Sequence, residues 1–277
     1  RMRRRNPSFS MVRHQGGIDA FGHAGSDSDS KPYRARFMKA MIFAAGLGTR
    51  LGELSRERPK ALVEVNGKTA LRLAVEKLSS AGFNDLIVNI HHHPALMREE
   101  IEKLRSDGFR ITVSDETDEL LDTGGGLMRA RYFFTDEPFL CYNTDIFTDL
   151  DISEMYQQHL ASGALATLAV RHRPGNRFYL VDKSGRIRGW RNVASKEEII
   201  TVSSSKGLEE IAFSGIHALS PEVFDKMPAG IYTMTSLYLM LAGKNRIMSY
   251  PHDEGYWFDC GTPDNLEKIR DYLSSHP

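Results

Sequence analysis

Short apolar runs alternate with stretches of helical periodicity along most of this chain. Residues 40–45 (AMIFAA) are apolar throughout and short enough for one buried strand. Residues 69–82 place Leu71, Ala74 or Val75, Leu78 and Ala81 at helical spacing, with Gly82 as a stop. Residues 85–90 (DLIVNI) predict a strand. Pro94 suits a first helical position, and residues 95–105 continue as a helix. Residues 109–114 (FRITVS) predict a third strand, 127–134 a short helix, and 139–143 (FLCYN) a fourth strand. Strand and helix in turn imply parallel βαβ units.

The second half is more mixed. Asp151 and Glu154 form a candidate capping box for a helix ending at Ser162. Residues 164–170 read as a buried strand. Residues 178–182 and 187–192 flank Lys183-Ser184-Gly185-Arg186 and predict a hairpin. Residues 206–210 read as loop and 211–219 as a strand. Ser220 and Pro221 suit the N-cap and first position of a helix. A further helix is predicted over 235–243, a strand around Ile247, and a final helix over 264–273, launched by Thr262 and Pro263.

Residues 1–37 lack any apolar period. They hold eight Lys and Arg against three Asp, a net +5 that leaves −5 for the remainder. They read as a basic, Gly- and Ser-containing tail or linker, expected to connect to an upstream domain, with residues 38–277 forming the folded domain. No apolar h-region marks a secretory signal. The whole chain of 277 residues has a formal net charge of zero, which gives no global pull toward nucleic acid or membrane, and no apolar run of membrane-spanning length. Its two cysteines, Cys141 and Cys260, are expected to be reduced thiols of a cytoplasmic protein.

Candidate chemistry starts where the first strand ends. Gly46-Leu47-Gly48 is a tight glycine turn that lets backbone N–H groups face a ligand, and successive N–H groups of this kind suit phosphate. Arg50 adds a fixed positive fork, and Pro59-Lys60 returns a second cation. A dinucleotide fingerprint needs a third glycine where Leu51 stands, and a Walker loop needs Gly-Lys-Ser/Thr; neither is present. His91, His92 and His93 alternate faces on an extended chain, so a strand-end loop is favoured over a metal site. Gly124-Gly125-Gly126 lies between a predicted strand and a predicted helix, where three glycines imply a close approach. Asp145 follows a strand, at the usual ligand face of an open parallel sheet.

The segment G-x-G-x-R-L from Gly46 to Leu51, followed by P-K-x-L from Pro59 to Leu62, resembles the sugar-1-phosphate nucleotidyltransferases. Within them the chain is most similar to the N-acetylmuramate 1-phosphate uridylyltransferases. The likeness runs from about Met38 to the end, through Glu116 with Leu121 to Gly126, Asn143-Thr144-Asp145, Phe213-Ser214-Gly215, and Trp257 to Thr262. It implies an α/β fold: a three-layer, Rossmann-like (GT-A-like), mostly parallel sheet with a substrate-side β-hairpin excursion. It implies transfer of a nucleotidyl group from an NTP to a sugar 1-phosphate, with pyrophosphate leaving and Mg²⁺ as cofactor. Nucleotide binding falls to Ala45, Gly46, Gly48, Thr49, Arg50, Glu116, Thr123, Gly124 and Gly125. Sugar binding falls to Asn143, Ser214 and Gly215. Asp145 and Asp259 hold the metal. The catalytic set is Arg50 on the β- and γ-phosphates, Lys60 on the α-phosphate, and the two aspartates. Thr144 departs from the family's usual glycine. Uridylyl transfer to an amino-sugar 1-phosphate is the expected reaction, and guanylyl transfer to mannose or heptose 1-phosphate is the alternative. A glycosyltransferase of similar fold would carry D-x-D, which Asn143-Thr144-Asp145 is not. A catalytically silent sugar-nucleotide sensor would have no need of Arg50, Lys60, Asp145 and Asp259 together.

Overall fold

The computed structural model describes residues 38–48 and 58–275. Strand β1 (Met38–Phe43) runs at the centre. A 3-10 turn over Lys60–Leu62 precedes the small hairpin β2 (Glu64–Val65) and β3 (Lys68–Thr69). Helix α1 (Ala70–Ser80) follows, its N-terminus capped by the Thr69 hydroxyl, which accepts from the Arg72 N–H at 3.1 Å. Then come β4 (Phe83–Ile90), α2 (Pro94–Ser106), β5 (Ile111–Asp115) and α3 (Asp122–Arg129). Next are β6 (Phe139–Asn143), β7 (Ile146–Thr148), α4 (Ile152–Ser162), β8 (Ala166–Arg171), β9 (Arg177–Val181), β10 (Ile187–Asn192) and β11 (Glu197–Ile200). The chain continues through β12 (Glu209–Leu219), α5 (Met234–Ala242), β13 (Ile247–Pro251), β14 (Trp257–Asp259) and α6 (Pro263–Ser275).

Strands β6, β1, β4 and β5 lie side by side and parallel, the mainly parallel centre that strand–helix alternation predicts. Their period-2 alternation sends residues to both faces. Ala40 and Ile42 meet α1, α2 and α4 on one face; Met41 and Phe43 meet α3 and α5 on the other. Helices therefore cover both faces, as a buried parallel sheet requires.

Strand β12 is antiparallel to β6 and joins this centre to the hairpin β9–β10. Its register against β8 slips between Phe213 and His217. Gly215 sits in that slip at φ +81°, a backbone region that glycine enters without strain. The expected hairpin is present, and Glu209 and Glu210, read as loop from sequence, begin the strand.

Three further local features differ from the sequence expectations. The glycine triplet lies inside α3 rather than before it, and residues 130–133 form a 3-10 extension. Ser220 does not cap the 3-10 turn Pro221–Lys226 with its side chain, because its hydroxyl donates instead to Ala164 O at 2.8 Å. The β7–β14 ribbon is new. Each of its strands has three residues, too short for periodicity to show.

Candidate active site

The first strand ends at a cavity of about 500 Å³, lined by Ala45, Gly46, Gly48, Lys60, Glu116, Thr123, Asn143 and Asp145 among others. Thr49 and Arg50 lie outside the described residues. What fixes the end of β1 just before Gly46 is Asn89, which the sequence pattern did not single out. Its carboxamide oxygen accepts from the N–H groups of Ala44 at 2.7 Å and Ala45 at 3.3 Å. Its amide donates to Glu116 Oε1 at 2.7 Å. One buried side chain in β4 therefore orients both the chain entering Gly46-Leu47-Gly48 and the acid. The available signal was a polar residue, Asn89, set between the apolar Val88 and Ile90.

Glu116 is fully buried, and its second oxygen, Oε2, has no partner. Burial holds its carboxyl above the ordinary range, against the opposing pull of the Asn89 hydrogen bond. His91 Nδ1 lies 2.6 Å from the Glu116 carbonyl oxygen, while the rings of His92 and His93 pack on each other.

Gly124 and Gly125 do not line the cavity. Their N–H groups donate to Tyr232 O at 2.8 and 3.4 Å. A Cβ at Gly126 would lie 2.6 Å from Glu116 Oε1. The close approach that three glycines imply is thus to other parts of this chain: the Tyr232 loop for two of them and the Glu116 carboxylate for the third. Thr123 reaches the cavity, and its hydroxyl also accepts from Met234 N–H at 2.9 Å.

The two aspartates converge through the β7–β14 ribbon. Asp259 pairs with Ile146 in register, and Cys260 N–H donates to Asp145 O at 2.9 Å. Residues 114 positions apart in sequence thus emerge at one end of one ladder. Lys60 donates to Asp145 Oδ2. Asp259 Oδ1 accepts from Gly261 N–H at 2.9 Å. Thr144, where the resemblance leads to glycine, turns its hydroxyl to Phe43 O at 2.8 Å and so ties β6 to β1.

A second cavity, of about 580 Å³, shares Asn143 and Asp145 with the first and adds Arg173, Arg177, Gly215, Trp257 and Asp259. Ser214 is absent from its lining. Its hydroxyl lies 2.7 Å from His252 Nε2, and its carbonyl accepts from Trp257 Nε1 at 2.9 Å. Trp257 is stacked under the Arg173 guanidinium at 4.3 Å, and Arg173 donates to Phe213 O at 3.0 Å.

Residues 39–275 match the family model described as nucleotidyl transferase. The chain belongs to the nucleotidyl transferase family. It is 32% identical over 247 residues to a mannose-1-phosphate guanyltransferase of Yarrowia lipolytica, covering 86% of this chain and 65% of that protein. It is 30% identical over 246 residues to the N-acetylmuramate alpha-1-phosphate uridylyltransferase of Neisseria meningitidis, covering 84% and 97%. Its fold matches a Bacillus anthracis structure titled as a putative glucose-1-phosphate thymidylyltransferase with a TM-score of 0.72 at 16% identity, over 85% of this chain and 94% of that one.

The family's chemistry is consistent with what surrounds the two aspartates. No thiolate nucleophile is prepared here: Cys260 is buried beside Asp145 and Asp259, and burial pushes its thiol up to about 12. Asp145 and Asp259 are hard oxygen donors on one ladder, and a cation, the Lys60 ammonium, already lies on the first. Such a pair fits Mg²⁺, which is commonly held by one or two carboxylates together with substrate phosphates. Among the described residues no helix is long and apolar enough to cross a membrane.

Proposed function

We propose that this chain forms an NDP-sugar and pyrophosphate from an NTP and a sugar 1-phosphate, with uridylyl transfer to an amino-sugar 1-phosphate as the specific reaction. The observation that carries the reading is the meeting of the two cavities at Asn143 and Asp145. A two-substrate displacement needs two compartments that open on one reacting atom, and positioning of that kind supplies much of the rate. The nucleotide takes the first cavity, with its phosphates on the glycine turn, Thr49 and Arg50. The sugar 1-phosphate takes the second, beside Gly215 and Asn143.

Lys60 sits at the boundary, where the α-phosphate accepts the incoming oxygen. Its charge is held there by Asp145 before substrate arrives, so little reorganisation is needed as negative charge builds up. Asp145 and Asp259 would hold Mg²⁺, which when bound neutralises charge on the phosphates. Glu116 supports the choice of base. Glu116 lines the first cavity, and a carboxylate accepts a ring N–H, which uracil and guanine offer and cytosine does not. Uridine is preferred because the subfamily likeness and the Neisseria relative agree on it. Guanylyl transfer stands as the second reading, because the Yarrowia relative is a guanyltransferase.

Pyrophosphate release across four NTPs and a panel of sugar 1-phosphates tests the proposal. Release with UTP and an amino-sugar 1-phosphate is expected. Nucleotide binding without release under every pairing would establish a silent sensor instead.

A further inference from the structure

The mouth of the first cavity carries apolar side chains that the fold leaves in solvent. Leu47 in the glycine turn is 42% exposed and Ile231 is 60% exposed, and both line the cavity together with Leu120. Exposed apolar side chains gathered at a concave site mark what the site takes up.

Ile231 sits on a segment without regular structure, residues 228–233, that is nonetheless tightly fastened. Tyr232 O accepts from two consecutive N–H groups of α3, those of Gly124 and Gly125, and the Met234 N–H donates to Thr123 Oγ1. The approach is too close for any side chain. A Cβ at Gly124 would lie 2.3 Å from the Tyr232 ring, and one at Gly125 would lie 2.4 Å from Gly230 O. An isoleucine held in water on so constrained a backbone is placed there by the fold.

We propose that Ile231 packs on the face of the nucleobase, and that Gly124 and Gly125 serve to bring its loop over the cavity. The proposal rests on the reading of the first cavity as the nucleotide site. Phosphate and ribose gain little from an apolar rim, whereas the flat face of a base gains from losing water. Leu47 offers a second apolar contact from the glycine turn. The glycines therefore act on the nucleotide at one remove, through the loop they admit.

The test compares the full chain with Ile231→Ala, using two probes: the NTP that supports turnover, and inorganic tripolyphosphate as a competitive inhibitor that has no base. The expected result is a rise in KM for the NTP of about tenfold, the factor for about two lost methylene contacts. Inhibition by tripolyphosphate and the KM for sugar 1-phosphate keep their wild-type values. Ile231→Leu recovers most of the NTP affinity. Gly124→Ala, which pushes on Tyr232 without altering Ile231, shows the same base-dependent loss. An Ile231→Ala protein with unchanged KM for the NTP, or with equal losses for NTP and tripolyphosphate, overturns the inference while the proposed reaction stands. A wild-type chain that binds no NTP overturns both.

Discussion

The Lys60 ammonium lies on the Asp145 carboxylate, joining the 3-10 turn Lys60–Leu62 to the residues just after β6. The side chains of this pair are 15% and 20% exposed, and it stands at the border of the two cavities. Lys60→Ala is expected to lower kcat by about 10²–10³-fold, the range for loss of one transition-state donor. Steady-state kinetics in the forward and pyrophosphorolysis directions check this. A higher KM for NTP with kcat intact would make Lys60 a ground-state binding residue only.

Asp145→Asn and Asp259→Asn are each expected to abolish Mg²⁺-dependent turnover. An amide keeps the shape of the side chain and lacks the charge that displaces metal-bound water. The Asp259 variant can still accept from Gly261 N–H through its carbonyl oxygen, so its fold should persist. Turnover against Mg²⁺ concentration, with a thermal melt as control, is the measurement. Near-full activity at ordinary Mg²⁺ removes that residue from the metal site.

Glu116 links stability to selectivity. Burial raises its pKa in the folded state above the ordinary value of 4.5, so the ionised form destabilises the fold. That cost is absent well below pH 4.5 and develops as pH rises through the folded pKa. Glu116→Gln should therefore raise the melting temperature at neutral pH, with the gain shrinking in acid. Its amide oxygen would keep the Asn89 hydrogen bond, leaving a donor where the wild type has an unpartnered acceptor. The KM for the preferred NTP should rise. A variant that is no more stable at pH 7 than the wild type refutes the linkage.

Gly125→Ala should reverse the usual rule for helices. An exposed helical Gly→Ala change stabilises by about 1 kcal/mol. Here the new methyl would meet the Gly230 carbonyl oxygen at 2.4 Å and Leu121 Cβ at 2.9 Å. Overpacking of this kind costs about 1–3 kcal/mol. Denaturant unfolding gives the sign directly.

His159 and His217 are buried and held neutral, at about 4 and about 3. Their folded pKa values lie below the ordinary 6.5. The stability they carry is complete above pH 6.5 and is lost as pH falls toward 4. His159, lowered from 6.5 to about 4, accounts for roughly 3 kcal/mol of that loss at full effect. His159→Gln should flatten the melting-temperature profile between pH 6.5 and 4. An unchanged slope would show that other groups dominate acid unfolding.

Continuous apolar runs were enough to place β1, β4 and β6, which are buried on both faces, and helical periodicity α1 and α2, which each bury one, all within a few residues. Neither was enough for the β7–β14 ribbon, whose strands are shorter than any period. Nor could either place Gly124 to Gly126 in a helix. Glycine is a poor helix former, and α3 takes its shape from hydrogen bonds and contacts made by residues 230–232.

By itself, then, the order of residues determined the alternating α/β architecture and offered Lys60, Glu116, Asp145 and Asp259 as candidates. Local chemistry suffices for these, since backbone period and side-chain type are properties of short segments. Only the tertiary structure decided that Asn89 orients both the end of β1 and Glu116, that Ser214 faces His252 rather than the second cavity, and that Asp145 and Asp259 meet at one end of the β7–β14 ladder. Each of these is a contact between distant segments. Such contacts arise when separate apolar faces are buried against each other, and no single segment encodes them.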